Sequence, residues 1–228
     1  MIPSRVQATG ATVITAGSVA AANPWWDPTG AGLCIWSAYQ PKGAANFAAS
    51  LVDLSLNGNN AGDPGGAATP GWGAATGWTF DGIAQYLTTT FVPQNDQSQS
   101  VLIQYTNLTY VEQRNVFGMT DGANRAFSIE TRSLKFRYWN GDDQYGSAIP
   151  VAGNVGIAGN VGYLDGVADT GAIPAWAGAA TFPSFIGCFN QGGAAQRYIT
   201  AYIQALAIYD CTLTAPQVAA VANAMAAL

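Results

Sequence analysis

From Trp139 to Tyr145 the chain reads Trp139-Asn140-Gly141-Asp142-Asp143-Gln144-Tyr145, which places aromatic rings beside planar amides and carboxylates within one loop. That combination suits a sugar, whose ring stacks on an aromatic face while its hydroxyls pair with a few well-placed polar groups. Trp139, Asn140, Asp142, Asp143 and Tyr145 are therefore the candidate glycan-binding residues, with Trp176 or Trp72 as a second wall. The same aromatics would equally serve to cover the ends of a sandwich or to fill contacts between subunits.

Other chemistries lack their residues. The sequence contains no histidine, which removes Ser-His-Asp and Cys-His nucleophile systems and imidazole-bound zinc or iron. Its three cysteines, Cys34, Cys188 and Cys211, form no CxxC motif. An odd count argues against a disulfide framework and predicts small buried thiols. If the first and last strands are neighbours, Cys34 and Cys211 could lie close. Asp53, Asn57, Asn59, Asp81 and Asp165 are oxygen donors near predicted turns, where Asx side chains bond local backbone. No loop carries the dense aspartate series of a calcium motif, so no metal or cofactor is expected.

The 228 residues are ample for a well-buried core. Apolar residues make up 49% and charged residues only 9%, a composition unlike that of a disordered chain. A net charge of −5 argues against nucleic acid as a partner. No window approaches a membrane span, and the N-terminus lacks the apolar core of a secretion signal, so neither a membrane nor a classical export route is expected. Five of the basic residues, Arg114, Arg125, Arg132, Lys135 and Arg137, fall close together. They read as the wet sides of strands or as edge charges that block unwanted pairing, the alternative being a patch for an anionic glycan or partner.

The elements that must position these residues are mostly short strands. Period-two patterns and turn formers predict strands at Leu33–Tyr39, Ser100–Leu108, Arg114–Met119, Arg125–Thr131, Leu134–Trp139, Tyr145–Ile149, Val155–Ala158, Val161–Leu164 and Phe182–Cys188. In Leu134–Trp139 the apolar Leu134, Phe136 and Tyr138 alternate with Lys135 and Arg137, which places the charged pair outward. Asp81-Gly82 and Asp165-Gly166 are hairpin signals. From Ile199 to Tyr209 every odd position is apolar, which marks a long strand with one side buried and the other partly wet. A helix follows: Thr214 caps it, Pro216 sits in its first turn and Gln217 completes a capping box. Residues 1–28 read as an arm, low in charge and ending at Trp25 and Trp26. Those two rings dock either on the chain's own sandwich or on a neighbouring subunit.

Taken in order, several blocks carry a family resemblance: Asp53-Leu54-Ser55-Leu56-Asn57-Gly58, Trp78-Thr79-Phe80-Asp81-Gly82, Gly162-Tyr163-Leu164-Asp165-Gly166, Phe185-Ile186-Gly187, and Ala205-Leu206-Ala207-Ile208-Tyr209-Asp210. The chain resembles the laminin-G-like branch of the concanavalin A-like lectin/glucanase superfamily, closest in style to structural proteins of bacteriophages and prophages. The resemblance implies an all-β, two-sheet antiparallel jelly-roll sandwich over residues 29–228, with adjacent first and last strands. One short C-terminal helix and the extended N-terminal arm complete it. Some members of the family bind calcium, and its retaining glucanases carry closely spaced carboxylates. The only glutamates here are Glu112 and Glu130, neither in a Glu-x-Asp-x-Glu arrangement, so no enzyme is expected. The resemblance points to a non-enzymatic virion protein, a capsid decoration or a tail or fibre component, contacting other virion proteins or copies of itself. Trp25 and Trp26 would serve as subunit contacts. The alternative is a carbohydrate-binding adhesion module that reads a host surface glycan, on a phage or at the bacterial extracellular surface.

Overall fold

The computed structural model describes residues 23–94, 96–121, 126–140, 143–175 and 180–228. The chain passes through β1 (Ile35–Tyr39), the single-turn α1 (Phe47–Ser50), β2 (Gly71–Gly73), β3 (Gly77–Asp81), β4 (Leu87–Thr88), β5 (Ser100–Thr109), β6 (Arg114–Thr120), β7 (Ala126–Arg132), β8 (Lys135–Asn140) and β9 (Asp143–Ala148). It continues through β10 (Gly153–Ala158), β11 (Val161–Leu164), β12 (Val167–Ala168), β13 (Phe185–Ile186), β14 (Phe189–Gln191), β15 (Ala194–Gln196), β16 (Thr200–Tyr209) and α2 (Ala215–Ala226). Among the described residues these strands form two eight-stranded sheets, the sandwich that the sequence predicts. The first runs β12-β11-β10-β5-β16-β3-β2 with β1 also on β16; the second runs β15-β14-β6-β7-β8-β9, with β13 on β6 and β4 on β13. Pairing is antiparallel except for a two-residue parallel contact between β14 and β6.

The main core lies between the sheets. Trp78, Ile103, Tyr105, Phe117, Phe127, Ile129, Phe136, Tyr138 and Ile203 are all fully buried there. A second core lies on the outer side of the first sheet, beneath α2, and includes Leu102, Tyr209, Leu213, Val218, Val221 and Met225. β16 serves both cores through a bulge. Its register against β5 shifts between Ile203 and Ala205, so Ala201 and Ile203 face the main core while Ala205, Ala207 and Tyr209 face the helix. A bulge inserts one residue and so exchanges the faces. The odd positions are buried throughout as expected, and the other side is partly wet at Thr200 and Tyr202 but dry from Gln204 onward, where Leu206 and Ile208 are fully buried. At the head of α2, Gln217 Oε1 accepts from the Thr214 N–H at 2.8 Å, the contact that the capping box predicts.

Several sequence expectations are corrected. Cys34 and Cys211 are joined in a disulfide with Cα atoms 6.0 Å apart, and Cys188 alone is a free buried thiol. The pairing of β1 with β16 brings the two together: Ile35 opposes Tyr209, and the Asp210 N–H donates to the Cys34 carbonyl at 2.9 Å. Asp81-Gly82 does not form a hairpin. The Asp81 carboxylate accepts from the Ile83 and Ala84 N–H groups, and the chain then crosses to the other sheet, where β4 pairs with β13. Asp165-Gly166 does turn a hairpin, Leu164 against Val167, with both turn residues at positive φ (49° and 77°) as a tight hairpin turn requires. The strand expected at Phe182–Cys188 is short because it stops at Gly187, whose φ is +80° and whose missing Cβ would fall 2.4 Å from the Phe80 ring. Arg137, expected to face water, is only 6% exposed.

Of the arm, residues 1–22 lie outside the described residues. Trp25 and Trp26 pack half-buried against the second core, edge to face at 5.4 Å, and the Tyr209 hydroxyl donates to the Trp26 carbonyl at 2.8 Å. Docking on the chain's own sandwich is thus the placement observed.

Candidate functional site

Strand register builds the site on the outer face of the second sheet. Residues directly opposite one another across a sheet share a face. One cross-strand row reads Asn115, Glu130, Arg137, Tyr145 along β6, β7, β8 and β9. The next reads Phe185, Gly118, Ser128, Trp139, Asp143 from β13 to β9. Alternation sends Phe127, Ile129, Phe136 and Tyr138 inward to the core and leaves these polar and aromatic side chains outward.

The row is not simply wet, because residues 187–199 return alongside β6 and close over it. The Gly187 N–H donates to the Val116 carbonyl, and the Asn115 N–H donates to the Arg197 carbonyl at 2.9 Å. A closed ring of contacts results. The Arg137 guanidinium lies 4.2 Å from the Trp139 ring centroid, and its Nη1 donates to Glu130 Oε2 at 2.9 Å. Arg197 Nη1 donates to Glu130 Oε1 at 3.1 Å, and its guanidinium sits 5.3 Å over the Phe189 ring. Phe189 in turn stacks on Trp139 at 6.5 Å, with the planes 17° apart. Arg137 Nε also lies 2.9 Å from Asp143 Oδ2, an ion pair whose N–H is not aimed at the oxygen.

Glu130 is fully buried. Burial raises its carboxyl above the ordinary glutamate value, and the attraction of Arg137 and then Arg197 offsets only part of that rise. Beneath the ring, Asn115 Nδ2 and Oδ1 and Ser128 Oγ are buried and take no hydrogen bond from the protein. At the far end of the second row Phe185 stacks on Tyr86 at 5.1 Å, and Tyr198 tilts against Tyr86 at 6.2 Å.

Of the residues chosen from sequence, the structure brings Trp139, Asp143 and Tyr145 together on this face. Trp139 is half-buried and Tyr145 is 42% exposed. Asn140 does not join them: it is fully buried on the other side, where its amide donates to the Gly159 carbonyl at 2.7 Å. Alternation alone sends it inward, next to Trp139 in sequence but opposite in direction. Asp142 and Trp176 lie outside the described residues. Trp72 belongs to the other sheet, where it packs on the main core and donates to the Pro41 carbonyl. Sequence reasoning named Arg137 only within the basic cluster, and it missed Glu130, Phe189 and Arg197 as site residues and also the aromatic cluster of Tyr86, Phe185 and Tyr198. Only the charged alternation in β7 and β8 hinted at any of them.

The oxygen-rich turns have structural roles. Asp53 accepts from the Ala38, Ser55 and Asn59 N–H groups, and the Asn57 and Asn59 amides donate to carbonyls of β1. Asp165 accepts from the Asn154 N–H. Glu112 accepts from the Ser133 N–H and the Tyr110 hydroxyl, so each glutamate is engaged by partners of its own. Among the described residues no group of three or more Cys, Asp or Glu side chains converges as a metal site, and no helix is long and apolar enough to cross a membrane. A hollow of about 300 Å³ elsewhere is lined by Gln40, Gly43, Ala44, Ala49 and Leu54, none of them aromatic or titratable.

No protein-family model matches the sequence, and no curated protein matches it. Solved structures match in fold. Domain 4 of AbnA, a GH43 extracellular arabinanase from Geobacillus stearothermophilus in complex with arabinotriose, superposes with a TM-score of 0.57 at 19% identity, over 83% of this chain and 98% of that one. The binding domain of botulinum neurotoxin DC in complex with SialylT gives 0.58 at 11% identity, over 84% of this chain and 52% of that one. Trypanosoma rangeli sialidase gives 0.54 at 13% identity, over 81% of this chain and 32% of that one. At these identities the likeness is one of fold.

Proposed function

We propose that this chain is a non-enzymatic carbohydrate-recognition module whose contact surface is the outer face of the second sheet, centred on Trp139. The observation that carries this reading is the half-buried Trp139, fixed by the Arg137 guanidinium 4.2 Å from its ring centroid and by the near-parallel Phe189 ring at 6.5 Å, with the partly exposed Asp143 and Arg197 beside it. A fixed aromatic face flanked by planar polar groups is what a sugar ring requires. Two sandwiches of like fold are described with sugars bound, which supports the reading. Neither glutamate faces a partner carboxylate among its described contacts, so the face is suited to holding a glycan rather than cleaving it.

The Cys34–Cys211 bond favours a working place outside a reducing cytoplasm. A phage particle or a bacterial surface meets that condition, and the particle role remains our narrower proposal. Since Trp25 and Trp26 belong to the fold, an attachment arm would be residues 1–22. Deleting those should leave a folded domain that no longer joins a particle, and unchanged incorporation would end the idea.

Multivalent wild-type protein on a glycan array tests the main reading, beside Trp139→Ala and Tyr145→Ala, each checked by thermal melt. Sugar signals that weaken in both variants are expected. An array blank for the wild type would remove the carbohydrate reading altogether.

A further inference from the structure

We infer that the site takes an uncharged oligosaccharide, laid across the sheet from the Trp139 end to the Tyr86–Tyr198 end, rather than a single or an acidic sugar. The inference rests on the carbohydrate reading above and adds length and charge to it.

Length follows from the row Phe185–Gly118–Ser128–Trp139. Three strand spacings separate its ends, about 14 Å, and each end carries a half-buried aromatic surface: Trp139 at one, Tyr86 and Tyr198 around Phe185 at the other. One sugar ring cannot lie on both. Between them sit the atoms that the protein leaves without partners, Asn115 Nδ2 and Oδ1 and Ser128 Oγ, on residues that are fully buried. An orphaned buried polar atom costs about 1–3 kcal/mol, and such atoms are uncommon enough that three along one stretch of one face call for a partner. A hydroxyl both donates and accepts, so a polyol can satisfy an amide nitrogen, an amide oxygen and a hydroxyl together. Reaching them requires the Phe189 ring to turn aside; its strand β14 stays paired with β6, and Arg197 stays on Glu130.

Charge follows from the pairing. Arg137 and Arg197 are both engaged by Glu130, and Arg137 also by Asp143; Arg132 meets Glu112 at the margin. The two carboxylates cancel the two guanidiniums of the ring, and an acidic sugar would have to displace a buried carboxylate to gain an arginine.

Calorimetry with neutral gluco-, xylo-, arabino- and galacto-oligosaccharides, from monosaccharides to hexasaccharides, and with the matching uronic acid oligomers, tests this. In at least one neutral series, affinity should rise about tenfold or more from the monosaccharide to the longer chains. Tyr198→Ala and Tyr86→Ala should erase that rise, whereas Trp139→Ala, or Tyr145→Ala if that variant does not fold, should weaken every length. Binding without length dependence, or a preference for the uronic acid series, overturns the inference and leaves the carbohydrate reading standing. No binding of any sugar by the wild type overturns both.

Discussion

The bond between Cys34 and Cys211 closes a loop of 177 residues. Cross-linking so long a loop removes chain entropy from the unfolded state, with a limit of about 5 kcal/mol at 25 °C. Measured effects commonly reach about 2–4 kcal/mol, still a large share of a domain stability of about 5–15 kcal/mol. In the folded state the bond adds little that the strands do not already supply. β1 and β16 are registered beside it, and the Asp210 N–H to Cys34 carbonyl hydrogen bond holds the same junction. Reduction should therefore leave the fold intact and act through the unfolded chain. Urea unfolding of the oxidised protein, the reduced protein and the Cys34→Ala/Cys211→Ala variant checks this. The latter two should agree, lie about 2–5 kcal/mol below the first, and unfold with a larger m as the unfolded chain expands. Thiol titration in denaturant without reductant should find one reactive group, Cys188. Three reactive thiols, or an unmoved midpoint on reduction, would refute the reasoning.

Glu130→Ala should cost about 3–5 kcal/mol, since it removes the buried carboxyl that both Arg137 and Arg197 donate to. Glu130→Gln should cost far less, because burial already disfavours the charged carboxyl and the amide oxygen can still accept from Arg137; equal losses in urea unfolding would count against this account. Ser128→Ala removes a buried hydroxyl that has no protein partner. It should raise stability by about 1 kcal/mol while weakening sugar binding, and a loss of stability would show that the hydroxyl is satisfied. Burial pushes Tyr39 up to about 12 and moves Tyr105, Tyr138 and Tyr209 in the same direction. Unfolded tyrosines ionise near 10, so above that pH the unfolded chain sheds protons that the folded chain keeps. Stability is then complete below about pH 10 and falls as pH rises towards about 12. Phenolate absorbance should show these four ionising only with unfolding, and smooth titration of all ten tyrosines in the folded protein near pH 10 would contradict it.

Local pattern made most of the strands legible, because a strand half-covered by another layer writes its period of two into the chain. Ser100–Thr109, Val161–Leu164 and the Asp165-Gly166 turn all fall where alternation and turn chemistry place them. What escaped is what depends on distant pairing. The bulge between Ile203 and Ala205 leaves the apolar period unbroken while exchanging which core it faces, and no single strand can reveal that. The disulfide depends on the register of two strands far apart in sequence, so cysteine count alone misjudged it. At the site, Trp139, Asp143 and Tyr145 were readable as one loop-linked group. Asn140 was misassigned because a loop was assumed where β8 still alternates.

The misreading of Arg137 shows how the site differs from a plain sheet. Charged residues at alternate strand positions are normally the wet side, and in β8 they would be so if residues 187–199 did not return over them. Once covered, Glu130 and Arg137 carry a desolvation cost that an ion pair offsets poorly, and well-packed apolar side chains would stabilise the fold as well or better. Asn115 and Ser128 add further unrecovered cost on the same face. The interior just behind them shows no such concession, since Phe127, Ile129, Phe136 and Tyr138 fill it with rings and branched chains. A sequence that packs one face of a sheet so tightly and leaves the other polar, paired and partly unsatisfied departs from the folding rules on that face. Such local violations are where recognition is built, and here they gather around the one stacked tryptophan that the sequence also singled out.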